Sequence, residues 1–367
     1  MKRSSAWVIA LLLSGCRTRG LDPGSNAVSS SADCDGPQTQ PGVEIIACGF
    51  GPEIAVVGTD DEAVFVVTGG GAIYRIDKAT GKKNKLYTLK GSGTYSLDSL
   101  AKGVRLAGGM IYFVESLETG PWAIVAINAS TPTLGATRVI ESTNIPQSSE
   151  WPILVDDQRV YWVSERFTGN GASTGPWMSV SLGGGDAQAL AGNDSAEGPI
   201  ALDAGYLYSL FTRSPHTLGR VSTSGGAVET VIAQIDPLIA IEGIAVRDDH
   251  LYGIKTIDSS NQEIVRHAFA GAGLEVLTHI SSAGEVPLGL LRDLVVDADF
   301  VYALEGFGAR FGNDRLIRIP VNGTQQPPTE IVSAIAPPVF DAASLYFTYV
   351  RGGGDTPIEG VVARRAK

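Results

Sequence analysis

The sequence predicts an all-β protein: a seven-bladed β-propeller of four-stranded blades, closed by an N-terminal strand. Three observations carry this. One phrase recurs along the chain, its period is narrow, and the segments between its copies read as short strands rather than helices. The phrase is an apolar strand, often an Asp, three loose residues, then an apolar residue followed by an aromatic. It reads Asp60-Asp61-Glu62-Ala63-Val64-Phe65, then Ala107 to Ile111-Tyr112, Asp156-Asp157-Gln158-Arg159-Val160-Tyr161 and Asp203-Ala204-Gly205-Tyr206-Leu207-Tyr208. It continues at Arg247 to Leu251-Tyr252, Asp297 to Val301-Tyr302 and Asp341 to Leu345-Tyr346. The aromatic anchors 65, 112, 161, 208, 252, 302 and 346 are spaced by 47, 49, 47, 44, 50 and 44 residues. Four strands in a repeat of roughly 40–50 residues is the size of one propeller blade.

Composition sets the outer limits. Of 367 residues, 44% are apolar and 18% charged, with 45 Gly and 19 Pro. The apolar fraction is enough for a large core, and the charge is too low for a disordered chain. No apolar run reaches the roughly 18 residues of a membrane-spanning helix. The formal net charge of −11 excludes a nucleic-acid partner, because phosphate binding needs a basic face.

In chain order, the first element is a leader over residues 1–15. Lys2 and Arg3 give it a positive start, and Ala6 to Leu13 is a short apolar run that cannot cross a bilayer. Leu13-Ser14-Gly15-Cys16 follows. It resembles the lipobox of bacterial lipoproteins: a Leu, two small residues, then the Cys. The resemblance implies diacylglycerol on the Cys16 thiol, cleavage before Cys16 and acylation of the new amine. Two or three acyl chains hold a protein stably where one does not. The alternative is an ordinary secretory signal with an unrelated Cys. Loss of Lys2 and Arg3 takes the net charge from −11 to −13, so lipid rather than a basic patch would be the membrane anchor. Arg17, rather than Asp, follows Cys16, which points to an outer-membrane address in the cell envelope.

Residues 16–42 read as a flexible tether, with Ser29-Ser30-Ser31 and Gly36-Pro37-Gln38-Thr39-Gln40-Pro41-Gly42. Cys34 and Cys48 form an even pair in an exported chain, most simply a disulfide tying the tether to the first strand. A metal site there is disfavoured, since no His lies near either thiol.

Residues 43–367 form the propeller. In the third copy, strands a to d are Pro152 to Val155, Val160 to Ser164, Trp177 to Leu182 and Ala187 to Ala191, with Gly183-Gly184-Gly185 as the c–d turn. The last copy has strand a (Pro338 to Phe340), b (Ser344 to Val350) and c (Gly360 to Arg364), and then the chain ends. Val43 to Cys48 is an apolar strand with no copy of its own. It is expected to supply the missing outer strand and cover an apolar edge. Val160-Tyr161-Trp162-Val163-Ser164 approaches the Tyr-Trp-Thr-Asp phrase in one copy. On this pattern the chain resembles the bacterial extracytoplasmic β-propeller lipoproteins, a group akin to YWTD, NHL and TolB-type propellers. That resemblance implies a ligand- or protein-binding scaffold.

In such a ring the b–c loops and d–a crossovers share one face, and the a–b and c–d turns share the other. The b–c face carries the long Gly-rich segments Arg166 to Gly175 and Gly306 to Asn313, and the shorter Leu117 to Gly120, so it is the expected binding face. Its candidates are Glu115, Trp122, Glu165, Arg166, Trp177, Arg213, His216, Glu305 and Arg310, with Lys255 beside them. Trp122 and Trp177 follow the same Thr-Gly-Pro phrase and either offer a stacking surface or pack between blades. Glu115, Glu165 and Glu305 follow strand b at nearly equal positions, so ring symmetry would bring them toward one mouth. Gly171-Ala172-Ser173-Thr174-Gly175 matches a hydrolase elbow in letters but lacks its strand-before, helix-after setting, and reads as a flexible loop. The expectation is therefore a non-enzymatic envelope lipoprotein with a protein or glycan partner and no cofactor. The alternative is a calcium-dependent hydrolase or lactonase using Glu115, Glu165, Asn193 and Glu305.

Overall fold

The computed structural model describes Cys34 and residues 42–90, 101, 103–116, 122–131, 135–142, 145, 153–168, 171–191, 200–211, 216–236, 239–258, 261–271, 273–281, 291–306, 314–323, 327–353 and 356–367. The leader and Cys16 lie outside these residues.

Blade 1 is β2 (Ile54–Thr59), β3 (Ala63–Thr68), β4 (Ala72–Asp77) and β5 (Lys83–Thr88). Blade 2 is β6 (Val104–Ala107), β7 (Met110–Ser116), β8 (Trp122–Asn128) and β9 (Thr137–Ser142). Blade 3 is β10 (Leu154–Val155), β11 (Arg159–Thr168), β12 (Gly171–Ser181) and β13 (Gln188–Ala189). Blade 4 is β14 (Ile200–Asp203), β15 (Tyr206–Phe211), β16 (Thr217–Ser222) and β17 (Glu229–Ile232). Blade 5 is β18 (Ile239–Arg247), β19 (His250–Asp258), β20 (Asn261–Ala268) and β21 (Leu274–Ser281). Blade 6 is β22 (Leu291–Val296), β23 (Phe300–Glu305), β24 (Arg315–Pro320) and β25 (Thr329–Ser333). Blade 7 is β26 (Val339–Phe340), β27 (Ser344–Gly353), β28 (Thr356–Ala366) and β1 (Val43–Phe50) from the chain's other end.

Every sheet is antiparallel, in the order a-b-c-d. The a strands form the inner ring: β2 touches β6, β6 touches β10, and so on to β22, while β26 touches β2. The N-terminal strand does close the last blade, running two residues further than the sequence suggests, with Val43 opposite Arg365 and Phe50 opposite Gly360. A disulfide joins Cys34 to Cys48, with Cα atoms 5.8 Å apart. Strands b and c of blades 3 and 7 are longer than expected, whereas the a strands of both and the d strand of blade 3 are shorter. The b–c ladders simply continue past the apolar core.

The core lies between blades. Successive side chains of a strand face opposite ways, so each b strand feeds two clusters. Val64 and Val66 join blade 7's Tyr346 and Val362, while Phe65 and Val67 join blade 2's Ile111 and Phe113. The buried apolar residues described sort into seven such clusters, one per junction. All seven anchor aromatics are buried, none more than 4% exposed.

Each a–b turn has two residues, of two kinds. In blades 2, 4 and 5 both take positive φ: Gly108 and Gly109, Ala204 and Gly205, Asp248 and Asp249. This is the twist-matched hairpin turn. In blades 1, 3, 6 and 7 an Asp before the turn folds onto it instead. Asp341 Oδ1 accepts the N–H groups of Ala343 and Ser344 at 2.9 Å, and its Oδ2 accepts the Tyr346 hydroxyl at 2.8 Å. Asp156 with Tyr161, at 2.6 Å, and Asp297 with Tyr302, at 3.1 Å, repeat the clamp. Asp60 holds its turn likewise, but Phe65 has no hydroxyl to add. The recurring Asp of the sequence is thus a turn-and-anchor clamp in three blades and a turn cap in a fourth. Asp203 at the same offset is not one of them, because its turn has the other hand.

Two predictions follow from closure and clamp. Deleting residues 43–48 bares the edge of β28 and severs the disulfide, so thermal unfolding becomes earlier and broader. A deletion variant that melts with the parent's midpoint and sharpness contradicts the closure. Burial alone would raise the Asp341 carboxyl, but the Lys78 ammonium at 2.9 Å, the Ala343 and Ser344 N–H groups and the Tyr346 hydroxyl outweigh it and hold it well below its ordinary 3.8. A depressed carboxylate contributes stability above its ordinary value and loses it as pH falls toward the folded one. Asp341→Asn should therefore cost about 1–2 kcal/mol at neutral pH. In urea titrations the gap to the parent should narrow from about pH 4 downward; a gap independent of pH contradicts the assignment.

Candidate functional site

The two faces differ in construction. On the a–b/c–d face the two-residue a–b turns are tied down, while the c–d links of blades 1 to 6, expected to be mostly short, run five to eight residues. In all seven blades the residue after strand c donates its N–H to the carbonyl of the second a–b turn residue, at 2.8 to 3.1 Å: Lys78 to Glu62, Ala129 to Gly109, Leu182 to Gln158, Thr223 to Gly205, Phe269 to Asp249, Val321 to Asp299, Lys367 to Ala343.

On the b–c face three hairpins project among the described residues. β11 and β27 run seven residues past their anchor tyrosines and β19 runs six, whereas β3, β15 and β23 stop after three. The segment Arg166 to Gly175 is therefore largely ladder rather than flexible loop: Arg166 pairs with Ser173, Phe167 with Ala172 and Thr168 with Gly171. The elbow-like Gly171 to Gly175 lies within β12. A bulge between Val163 and Glu165 is seated by Gly175, where a Cβ would lie 2.0 Å from the Ser164 hydroxyl. The projecting β27–β28 hairpin of blade 7 was not legible in the sequence as an extension. Ile257, near the tip of β19, is 43% exposed, an unusual state for a large apolar side chain here.

The candidate carboxylates have structural partners. Glu115, 3% exposed, accepts the Tyr87 hydroxyl at 3.1 Å and the Lys90 N–H at 2.7 Å, so it fastens the crossover arriving from blade 1. Burial, and then the adjacent Glu115 carboxylate, push the Tyr87 phenol up to about 12. Glu305, 2% exposed, takes Arg315 Nη2 at 2.6 Å within its own blade. Glu165 and Arg166 sit on β11 in register with Thr174 and Ser173; their side chains are outside the described residues. Arg213, Arg310, Asn193 and the segments 117–120 and 307–313 lie outside them too.

Trp177 is 2% exposed and faces Phe211 of blade 4, ring centroids 6.3 Å apart. Trp122 is half-buried against the cluster between blades 2 and 3. Both therefore pack between blades, at different junctions. His216 opens strand c of blade 4, and its carbonyl accepts the Ile235 N–H at 2.7 Å. Lys255 pairs with Asp236 at 2.7 Å. Among the described residues no three His, Cys, Asp or Glu side chains gather as a metal ion requires, and no helix is long and apolar enough to cross a membrane.

No protein-family model matches the sequence, and no curated protein matches it. Solved structures match at the level of fold. A structure from a study of two prolyl endopeptidases aligns over 89% of this chain and 48% of its own, at 12% identity and a TM-score of 0.51. The computationally designed Ika8 protein aligns over 88% of this chain and 99% of its own, at 12% identity and a TM-score of 0.50. BamB from Moraxella catarrhalis aligns over 88% of this chain and 85% of its own, at 14% identity and a TM-score of 0.46.

The burial of Glu115 makes a prediction opposed to a free surface carboxylate. Glu115→Ala strands the Tyr87 hydroxyl and the Lys90 N–H, and should cost about 2–3 kcal/mol in urea unfolding. A neutral or stabilising result would show that the carboxylate is not engaged.

Proposed function

We propose that the chain is a binding scaffold of the cell envelope, held to a membrane by lipid on Cys16 and meeting a protein partner with its b–c face. The observation that carries this is the asymmetry of the faces. One is closed by seven repeated backbone hydrogen bonds. The other projects three hairpins and the exposed Ile257. A rigid ring with adaptable loops on one side is a common design for recognition. Binding is favoured over catalysis because Glu115 is engaged in fastening the crossover from blade 1 and Glu305 in pairing with Arg315 within its own blade.

The tether supports the same orientation. Arg351, near the b–c end of β27, donates Nη1 to the Cys34 carbonyl at 2.7 Å, so the segment carrying Cys34 meets blade 7 at that side. The stretch from Cys16 to Cys34 can span at most about 60 Å when extended. The b–c face would therefore work within that distance of the membrane. The anchored protein's acidic surface makes lipid, not charge, the attachment.

Cys16→Ser should release the protein from membranes and abolish palmitate labelling, read by fractionation of labelled cells. A variant that stays membrane-bound would overturn the anchor. For the face, a photo-crosslinker at Asp258 should trap an envelope protein that one at Asp61, on the opposite face, does not. Equal trapping from both, or trapping from Asp61 alone, would overturn the assignment.

A further inference from the structure

The link from β1 into β2 and the b–c turn of blade 1 enclose a cleft on the b–c face. Its walls are Gly49, Phe50, Gly51, Pro52 and Glu53 on one side and Thr68, Gly69, Gly70 and Tyr74 on the other, around a volume of about 340 Å³. Phe50 and Tyr74 meet edge to face, centroids 5.5 Å apart and planes at 77°. The Lys83 ammonium lies 4.8 Å from the centre of the Phe50 ring and donates to the Cys48 carbonyl at 2.8 Å, so this corner already accommodates one cation against an aromatic face.

The Glu53 side chain is half-buried, and its carboxylate makes no hydrogen bond or ion pair with any described residue. The Tyr74 hydroxyl likewise bonds to none of them. Glu53 reaches its place because residue 69 has no side chain: a Cβ on Gly69 would sit 1.9 Å from Glu53 Oε2. The Gly69 N–H, in turn, donates to the Glu53 carbonyl at 2.8 Å, fixing turn and link together. The cleft therefore combines a carboxylate with no partner among the described residues, aromatic walls and glycine backbone that leaves room beside them.

We propose that this cleft seats a basic side chain, lysine or arginine, of the protein partner; the proposal rests on the scaffold reading above. An ammonium or guanidinium would satisfy the Glu53 carboxylate by a charge-assisted hydrogen bond. The aromatic walls attract the same charge and receive the alkyl stem. An anionic group is repelled by Glu53, and a neutral one leaves its charge uncompensated. The chain's net charge of −11 steers basic partners toward it.

The test uses the full chain and three blocked tripeptides, glycine-X-glycine, with lysine, arginine or norleucine at X, titrated by NMR at low salt. The lysine and arginine peptides should bind saturably in the millimolar range, and norleucine at least about tenfold more weakly. Glu53→Gln should erase that difference while melting like the parent. Gly69→Ala should weaken lysine binding, because its Cβ displaces the carboxylate. No saturable binding, or the same lysine preference in Glu53→Gln, overturns the proposal. The crosslinker at Asp258 separates the two failures. If it traps a partner while the peptides fail, the cleft is wrong and the scaffold stands. If it traps nothing and the peptides fail, both readings fall.

Discussion

The junction between neighbouring blades depends on one backbone hydrogen bond, from the residue after strand c to the second residue of the a–b turn. It closes the turn, and it also directs that residue's side chain toward the anchor aromatic of the preceding blade or the Asp that clamps it. Where the anchor is clamped by Asp, the covering residue is polar. Lys78 reaches Asp341 and lies 4.5 Å above the Tyr346 ring. Lys367 reaches Asp297, and Thr223 lies beside Tyr161. Where the turn is the positive-φ kind, the cover is apolar. Leu182 packs in the cluster of Tyr112, Phe269 faces Tyr208 with centroids 5.5 Å apart, and Val321 packs in the cluster of Tyr252. Phe65, with nothing to donate, is met by Ala129. A buried phenol needs a partner and a buried carboxylate needs a counter-charge. Turn hand, clamp and cover are therefore chosen together, across a blade boundary.

Closure adds a long-range condition to this local rule. The last blade is complete only when β1 pairs with β28, joining residues more than three hundred positions apart. Such pairings form late, after the loop entropy of the whole chain has been met. Cys34 and Cys48 are 14 residues apart and tie β1 to its own lead-in. A loop of that size contributes on the order of 3 kcal/mol in the chain-entropy view. Arg364 adds a two-pronged pair to Glu44, both contacts at 2.7 Å. The outer strand is thus held to β28 by main chain and charge, and to its own lead-in by the covalent bond.

The ring was legible because its signal is local and repeated. An aromatic that must be buried once per blade recurs at the blade period, and two-residue turns leave Asp and Gly at fixed offsets. The closing strand was legible too, since an apolar strand without a copy and a blade without a fourth strand imply each other. What escaped depends on neighbours distant in sequence. Glu115 reads as a loop carboxylate until blade 1's Tyr87 and Lys90 arrive beside it. Arg166 to Gly175 reads as loop because its glycines hide a ladder that needs Gly175 to fit Ser164. The Glu53 cleft joins the segments on either side of β2 and β3, and only its run of glycines, at 49, 51, 69 and 70, left any trace in the sequence.

The same economy explains why the proposed recognition groups gather on one face. On the a–b/c–d side, the junction rule uses the turn carbonyls, the Asp carboxylates and the cations that follow strand c. Substitution there disturbs two blades at once, so that face has little freedom to change. On the b–c side, the strands outrun the core, and each blade sets its own length. Hairpins of blades 3, 5 and 7 extend while β3, β15 and β23 stop short, without altering a single anchor. The Glu53 carboxylate and the Tyr74 hydroxyl have no partner among the described residues there, and no junction requires one. In this ring the fold makes the fewest demands on the b–c rim, which is where the proposed recognition groups lie.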